Sequence, residues 1–371
     1  MQKKQVAVLD FGSSKITAVV GERGINKTFL IKGTYSFNYD GFGEGEFFDV
    51  NQLKGVVSLA VDALKKTYTD KLDTIYVGVP GDFTEVIVRD SQISFSKKKK
   101  ITDLDVDALF DSAFVIQSNK YSLINRSAVV YELDDFRRLA NPVGSVSAIL
   151  KGKLSFILCS NYFIDTIKPI VQAVGGVDKV EFVSTDLAEA LYLVEPEVRD
   201  RTALICDVGY ITSTLTIVQG DGLLYKKSFA YGGGFVTASI TEKFDIDFDK
   251  AEKLKRKLNL SCQTSSDGYD LIDDDNGHYY SIEELKNTVK VSLDELCEQI
   301  ANALEESGYI LPDYVPLMIT GGGISYLRGA KEHVSGRLNT VVEILAPTVP
   351  LMDKPTESSK LSLLDLALEQ K

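Results

Sequence analysis

The chain has 371 residues, 44% of them apolar, and a mean hydropathy of −0.01, enough for two or three globular domains with their own cores. A net charge of −12 excludes a general nucleic-acid surface, which needs clustered Lys and Arg, and four scattered cysteines with two histidines exclude a zinc site. No apolar run reaches the roughly 20 residues of a membrane span, and no signal peptide precedes the first strand, so a cytoplasmic protein is expected.

The first run, QVAVLDFGSSKITAVVG (residues 5–21), sets the pattern. Two apolar, β-branched stretches flank Asp10, Gly12, Ser13, Ser14 and Lys15, which predicts a hairpin with a polar tip. Glycine lets successive N–H groups and two hydroxyls converge on one anion, and Lys15 adds a positive charge. Asp10 is placed to hold a hydrated Mg²⁺. A strand at 28–36, a glycine- and aromatic-rich loop at 38–45, a helix over 51–68 capped by Asn51, and a strand at 74–79 complete one α/β unit.

Beyond Val86, short alternating runs at 85–89 and 92–95 lead to Lys97, Lys98, Lys99 and Lys100, read as a solvated tip. A helix opening at 101–103, strands at 127–133, 145–153 and 154–160, a turn at Asn141-Pro142-Val143-Gly144, and a helix at 164–174 read as an insertion. A strand at 180–182 and a helix at 185–193 enter the second half. There ALICDVGYITSTLTIV (203–218) repeats the opening grammar: a strand, Asp207, Gly209, the hydroxyls Thr212, Ser213 and Thr214, and a strand. Cys159 and Cys206 lie in such apolar runs and read as buried thiols.

A strand at 222–230 precedes Gly232 and Gly233, which lead into a helix at 235–244. The charged helix 248–258 places Glu252 and Lys255 one turn apart on one face; taken alone they read as a surface salt bridge. The acidic stretch 264–278 reads as a mobile loop and 281–307 as a long amphipathic helix. The run 315–319 ends in Gly321, Gly322 and Gly323; a helix at about 325–335, a strand at 341–345 and a core helix at 360–369 follow.

Two Asp-x-Gly hairpins and a later glycine turn, in this order, predict the α/β actin/sugar-kinase/Hsp70 ATPase fold, with two related halves around a nucleotide cleft. The chain resembles the bacterial cell-division FtsA family over essentially its whole length. The resemblance is carried by VAVLDFGSSKITAVVGE, Asn141-Pro142-Val143-Gly144, LAEALYLV, LICDVGY, the glycine turn with FVTASI, AEKLKRK and LMITGGG. It implies subdomain 1A at 1–85, completed by 346–371, an FtsA-type inserted subdomain 1C at 86–170, subdomain 2A at 171–240 and 313–345, and subdomain 2B at 241–312.

Residue by residue, the resemblance implies ATP binding with Mg²⁺. Asp10, Gly12, Ser13, Ser14 and Lys15 match the first phosphate loop, and Asp207, Gly209, Thr212 and Ser213 the second. Gly232 and Gly233 match a glycine turn, Glu252 and Lys255 the adenosine-side helix, and Gly321, Gly322 and Gly323 the adenine-side turn. Asp10 and Asp207 are the expected water-mediated Mg²⁺ ligands. The implied function is an ATP-binding, filament-forming division protein that links the FtsZ ring to the cytoplasmic membrane and recruits later division proteins. FtsZ would bind by its C-terminal tail on subdomain 2B, and self-association would use subdomain 1C. Membrane contact, at the inner face of the division site, would need a tail this sequence does not include.

One departure concerns the second loop, where Tyr210 and Ile211 replace two glycines of the family pattern. If those positions needed positive φ they would cost roughly 1–2 kcal/mol each, so a rearranged loop and weak ATPase activity at most are expected. A pilus-assembly or DNA-segregation actin relative is the second reading, with the insertion and its NPVG turn weighing against it. A sugar or acetate kinase is the third.

Overall fold

The structure is a computed structural model that describes residues 5–24, 28–114, 118–262, 271–273 and 277–369. β1 (Gln5–Phe11) and β2 (Lys15–Arg23) pair antiparallel as the opening hairpin, and β3 (Phe29–Asn38) extends them. The short β4 (Phe42–Gly43) and β5 (Glu46–Phe47) precede α1 (Val50–Thr67). Its cap is Asp49 rather than Asn51, because the Asp49 carboxylate accepts from the N–H groups of Asn51 and Gln52 at 2.8 and 3.0 Å. β6 (Thr74–Val79) returns parallel to β1.

β7 (Thr84–Lys100), α2 (Asp103–Ala113), β8 (Tyr121–Leu133), β9 (Arg138–Leu139) and β10 (Val146–Ser160) form a separate four-stranded sheet, ordered β7-β10-β8-β9, with α2 packed on it. The split strands expected at 85–95 and at 145–160 are each continuous, with β-bulges absorbing the irregular register. The lysine run is the exposed end of β7, where Lys98 pairs with Asp134 at 3.2 Å and Lys99 with Asp105 at 2.9 Å. The turn at 141–144 is closed by Asn141 Oδ1, which accepts from Val143 N–H at 2.9 Å, and by Gly144 at φ 92°. α3 (Asn161–Gly175), expected to belong to the insertion, packs instead on the first-half core through Phe163, Ile167 and Val171.

β11 (Lys179–Ser184), α4 (Thr185–Leu193) and the short α5 (Pro196–Arg199) lead to the second half. It contains β12 (Ala203–Val208), β13 (Ser213–Gln219), β14 (Gly222–Phe229), α6 (Gly233–Phe244) and α7 (Phe248–Lys257). A small hairpin of β15 (Leu271–Asp273) and β16 (Tyr279–Ser281), α8 (Ile282–Ser307), β17 (Leu317–Thr320), α9 (Ala330–Leu338) and β18 (Val342–Ile344) complete it, and α10 (Ser358–Glu369) returns to the first half. The acidic stretch is therefore partly paired, and Asp273 lies 3.8 Å from Lys257; Asp274 and Asp275 lie outside the described residues. α9 starts at Ala330 rather than near 325, because Gly329 at φ 87° closes a run of turns ahead of it.

The two five-stranded sheets share one plan: β3-β2-β1-β6-β11 and β14-β13-β12-β17-β18. Each opens with an antiparallel hairpin and continues with parallel strands. In the first half α1 and α3 cover one face, while α10 and α4 cover the other. α10 buries Leu361, Leu363, Leu364 and Ala367 there, as a core helix does.

Candidate functional site

The two hairpin turns face each other across a cleft of about 520 Å³, with α4 at its floor and the first turn of α10 at its side. Of the residues singled out by sequence, Asp10, Gly12, Ser13, Ser14, Lys15, Asp207, Gly209, Thr212, Glu252, Gly321 and Gly322 line it. Ser213, Gly232, Gly233, Lys255 and Gly323 do not; they build the wall behind it.

That wall is made of interlocked backbone. Gly233 N–H donates to the Gly209 carbonyl at 2.9 Å, and Gly323 N–H to the Val208 carbonyl at 2.7 Å. A Cβ on Gly233 would sit 2.3 Å from the Gly323 carbonyl oxygen, so glycine is required there for close packing rather than for ligand contact. Ser213 Oγ donates to the Tyr231 carbonyl at 2.5 Å.

Lys255 overturns the surface-pair reading. It is 1% exposed, and its Nζ reaches Glu252 at 2.7 Å and both Thr237 Oγ1 and the Gly233 carbonyl at 2.6 Å. Glu252 also accepts from Arg256 Nε at 2.7 Å and from the Tyr326 hydroxyl at 3.2 Å. Burial pushes the Glu252 carboxyl up, but Lys255 and Arg256 outweigh it and hold it below the usual range. Arg256 in turn stacks over the Tyr326 ring at 4.5 Å and borders the cleft.

The second loop takes its own course. Neither Tyr210 nor Ile211 is left-handed, so the expected strain is not incurred. The Tyr210 carbonyl accepts from Gly234 N–H at 2.7 Å, and Ile211 N–H donates to Ser13 Oγ at 3.0 Å, tying the two loops together. Lys15 is exposed, lines the cleft and has no ion-pair partner among the described residues.

Asp10 and Asp207, the expected metal pair, face the same space. Burial pushes Asp10 up despite a 2.7 Å hydrogen bond from Ser359 Oγ of α10. Burial, then Asp186 and Asp10, push Asp207 up to about 7. No three acidic, histidine or cysteine side chains among the described residues form a direct ligand set.

Sequence reasoning missed Asp82, Asp186, Glu189, Arg256, Thr356 and Ser359, all of which line the cleft. Asp186 and Glu189 left a trace: two carboxylates one turn apart inside the otherwise apolar TDLAEALYL helix. Thr356 and Ser359 left none, because they arrive from the far end of the chain.

FtsA of Neisseria meningitidis serogroup B is 19% identical over 352 residues, spanning 93% of this chain and 84% of that protein. The family model for type IV pilus assembly protein PilM matches residues 177–267. Among solved structures, the PilM–PilN type IV pilus biogenesis complex aligns with a TM-score of 0.65 at 16% identity, covering 99% of both chains. MreB5 of Spiroplasma citri bound to AMPPNP aligns at 0.56 and 12% identity, covering 100% of this chain and 97% of that one. The chain has the actin-like ATPase fold. The PilM alignment spans essentially all of this chain, the inserted sheet included. No helix among the described residues is long and apolar enough to cross a membrane.

Proposed function

We propose that this actin-like protein binds ATP with Mg²⁺ in the cleft and serves as an assembling scaffold of bacterial cell division, of the FtsA kind. One observation carries the reading: two duplicated Asp-x-Gly hairpins face each other across a cleft, one of them presenting Lys15, which has no ion-pair partner among the described residues. The residues present fit the group. Gly12 to Lys15 offer hydroxyls and a cation to phosphate, while Asp10 offers a buried and Asp207 a half-buried carboxylate to a hydrated divalent ion. When bound, Mg²⁺ screens phosphate charge from those carboxylates.

The chain's own groups divide the remaining work. Lys15 anchors phosphate, and Glu252 and Arg256 border the opposite end, where the nucleoside would lie. Ile211 N–H is already engaged by Ser13 and is not free to position a water at a terminal phosphate, which supports weak turnover.

The resemblance to FtsA over most of the chain supports the FtsZ C-terminal tail as partner, on the lobe at 241–312. It also supports self-association through the inserted sheet, further division proteins as partners, and a peripheral place at the membrane of the division site. A second reading, a pilus-assembly scaffold, is favoured by the PilM match at 177–267 and by the full-length PilM-like fold. Fluorescence anisotropy with a labelled FtsZ C-terminal peptide separates the two. Saturable binding supports the division reading; a flat titration with the folded protein moves the assignment to the pilus kind.

A further inference from the structure

β7 begins beside the cleft, just after Gly81 and Asp82, and runs 17 residues away from it to Lys100. At that far end Lys100 pairs with Val146 at the start of β10, and Leu133 at the end of β8 pairs with Leu150 on the other side of β10. The turn at 141–144 joins them, because Gly144 N–H donates to the Ile101 carbonyl at 2.9 Å. Five segments therefore meet at one tip of the inserted sheet. They are the lysine run, the first turn of α2, the β8–β9 turn, the turn at 141–144 and the start of β10. The last four each raise an apolar side chain into solvent. Leu104 is 77% and Phe136 78% exposed, and Val143 and Val146 are exposed with them. Phe136 is also left-handed at φ 64°, an uncommon conformation for a bulky side chain, and the cation near its ring is Lys151 at 5.9 Å.

The charges of the tip are layered. Lys98 pairs with Asp134, but the lysine side chain is 65% exposed and the aspartate 13%. Lys99 over Asp105 and Arg138 over Glu132 are arranged in the same order, cation outside and acid inside. Arg137 and Asp135 are exposed alike, and Asp103 is exposed. Lys97 and Lys100 are exposed and have no ion-pair partner among the described residues. On a chain of net charge −12, solvent here meets cations with single apolar side chains standing among them. A peptide needs a groove and a second copy a flat complementary face, whereas these side chains rise from separate turns at the end of a sheet. A lipid headgroup layer admits them one by one, and cations beside them supply the second signal that stable interfacial binding takes. We propose that this tip is a docking surface for an anionic lipid bilayer. Leu104, Phe136, Val143 and Val146 enter the headgroup layer, and Lys97, Lys98 and Lys100 meet lipid phosphates. The contact goes beyond a peripheral place at the membrane by putting it on named residues of the inserted sheet, and it depends on neither nucleotide nor FtsZ.

The chain has no tryptophan, so Phe136→Trp places a single fluorescent reporter at the tip. The full chain is mixed with vesicles of phosphatidylcholine alone, or of equal parts phosphatidylcholine and phosphatidylglycerol, and emission and co-sedimentation are read together. A blue shift and sedimentation are expected with the anionic vesicles and neither with the neutral ones, and both should fade as salt is raised. Lys97→Gln combined with Lys100→Gln should weaken binding about tenfold or more. Tyr314→Trp, at an exposed position of the second half, should show no shift. An unshifted Phe136→Trp reporter on anionic vesicles, or equal binding to both kinds of vesicle, overturns the proposal. So does a shift that follows protein concentration without lipid, which makes a second copy the occupant. If the lysine variant fails to fold, the reporter decides alone. The assay contains no nucleotide and no FtsZ peptide, so the cleft, the partner and the lipid surface fail independently.

Discussion

Lys15 and Lys255 stand on opposite sides of the cleft wall, and their burial decides what each does. The place of Lys15 at the cleft was legible from sequence because it follows from a local pattern, glycine, two hydroxyls and a cation at a hairpin tip. Lys255 was not, because its burial depends on α6, α7 and the turn carrying Tyr326 closing around it. Lys255→Met leaves Glu252 with Arg256 as its one remaining cation among the described residues and removes the donor to the Gly233 carbonyl, and should cost about 1–3 kcal/mol of stability, read as a lowered urea midpoint. The buried acids set a pH dependence. Burial first, with Lys226 opposing, pushes Asp186 up to about 6; burial, Asp186 and Asp10 push Asp207 up to about 7. A carboxyl raised in the folded state contributes stability that is full below the unfolded range near 4 and is lost as pH rises through the folded value. The thermal midpoint in EDTA should therefore fall between pH 5 and 8 as read by calorimetry. Asp207→Asn should flatten that fall, and an unchanged slope would count against the burial of these acids.

Elements with a strong period were legible: the opening hairpin, α4, α7, α8 and α10 lie where periodicity and capping residues put them. What failed did so for local physical reasons. Asp49 outcompetes Asn51 as a cap because its carboxylate accepts two N–H groups, and β7 and β10 run on because bulges tolerate a broken alternation. The second loop shows how a departure from a pattern is accommodated. With Tyr210 and Ile211 in ordinary backbone regions, the loop donates Ile211 N–H to Ser13 instead of leaving it free. ATP turnover is expected below about 1 s⁻¹. Replacing both residues by glycine should raise it by releasing that N–H, at some cost in the packing of Tyr210 on Phe248. A phosphate-release assay on the pair of proteins decides; a parent rate at or above that of a metabolic kinase would refute the account of the loop.

At the scale of the molecule, the duplication was readable because each half writes its strand, aspartate and glycine within a few residues. The floor and side of the cleft were not, since the floor is α4 packed between two sheets and the side is Ser359, 349 positions from the Asp10 it bonds. Such a site exists only once both halves have closed, and no local window of sequence contains it. The same closure makes the central claim testable in one experiment. Isothermal titration of the intact chain with ATP in the presence of Mg²⁺ should show one site per chain. Lys15→Ala should weaken that binding about tenfold or more, because a charge-assisted phosphate contact is worth roughly 1.5–3 kcal/mol. Absence of ATP binding by the folded parent protein would contradict the nucleotide cleft.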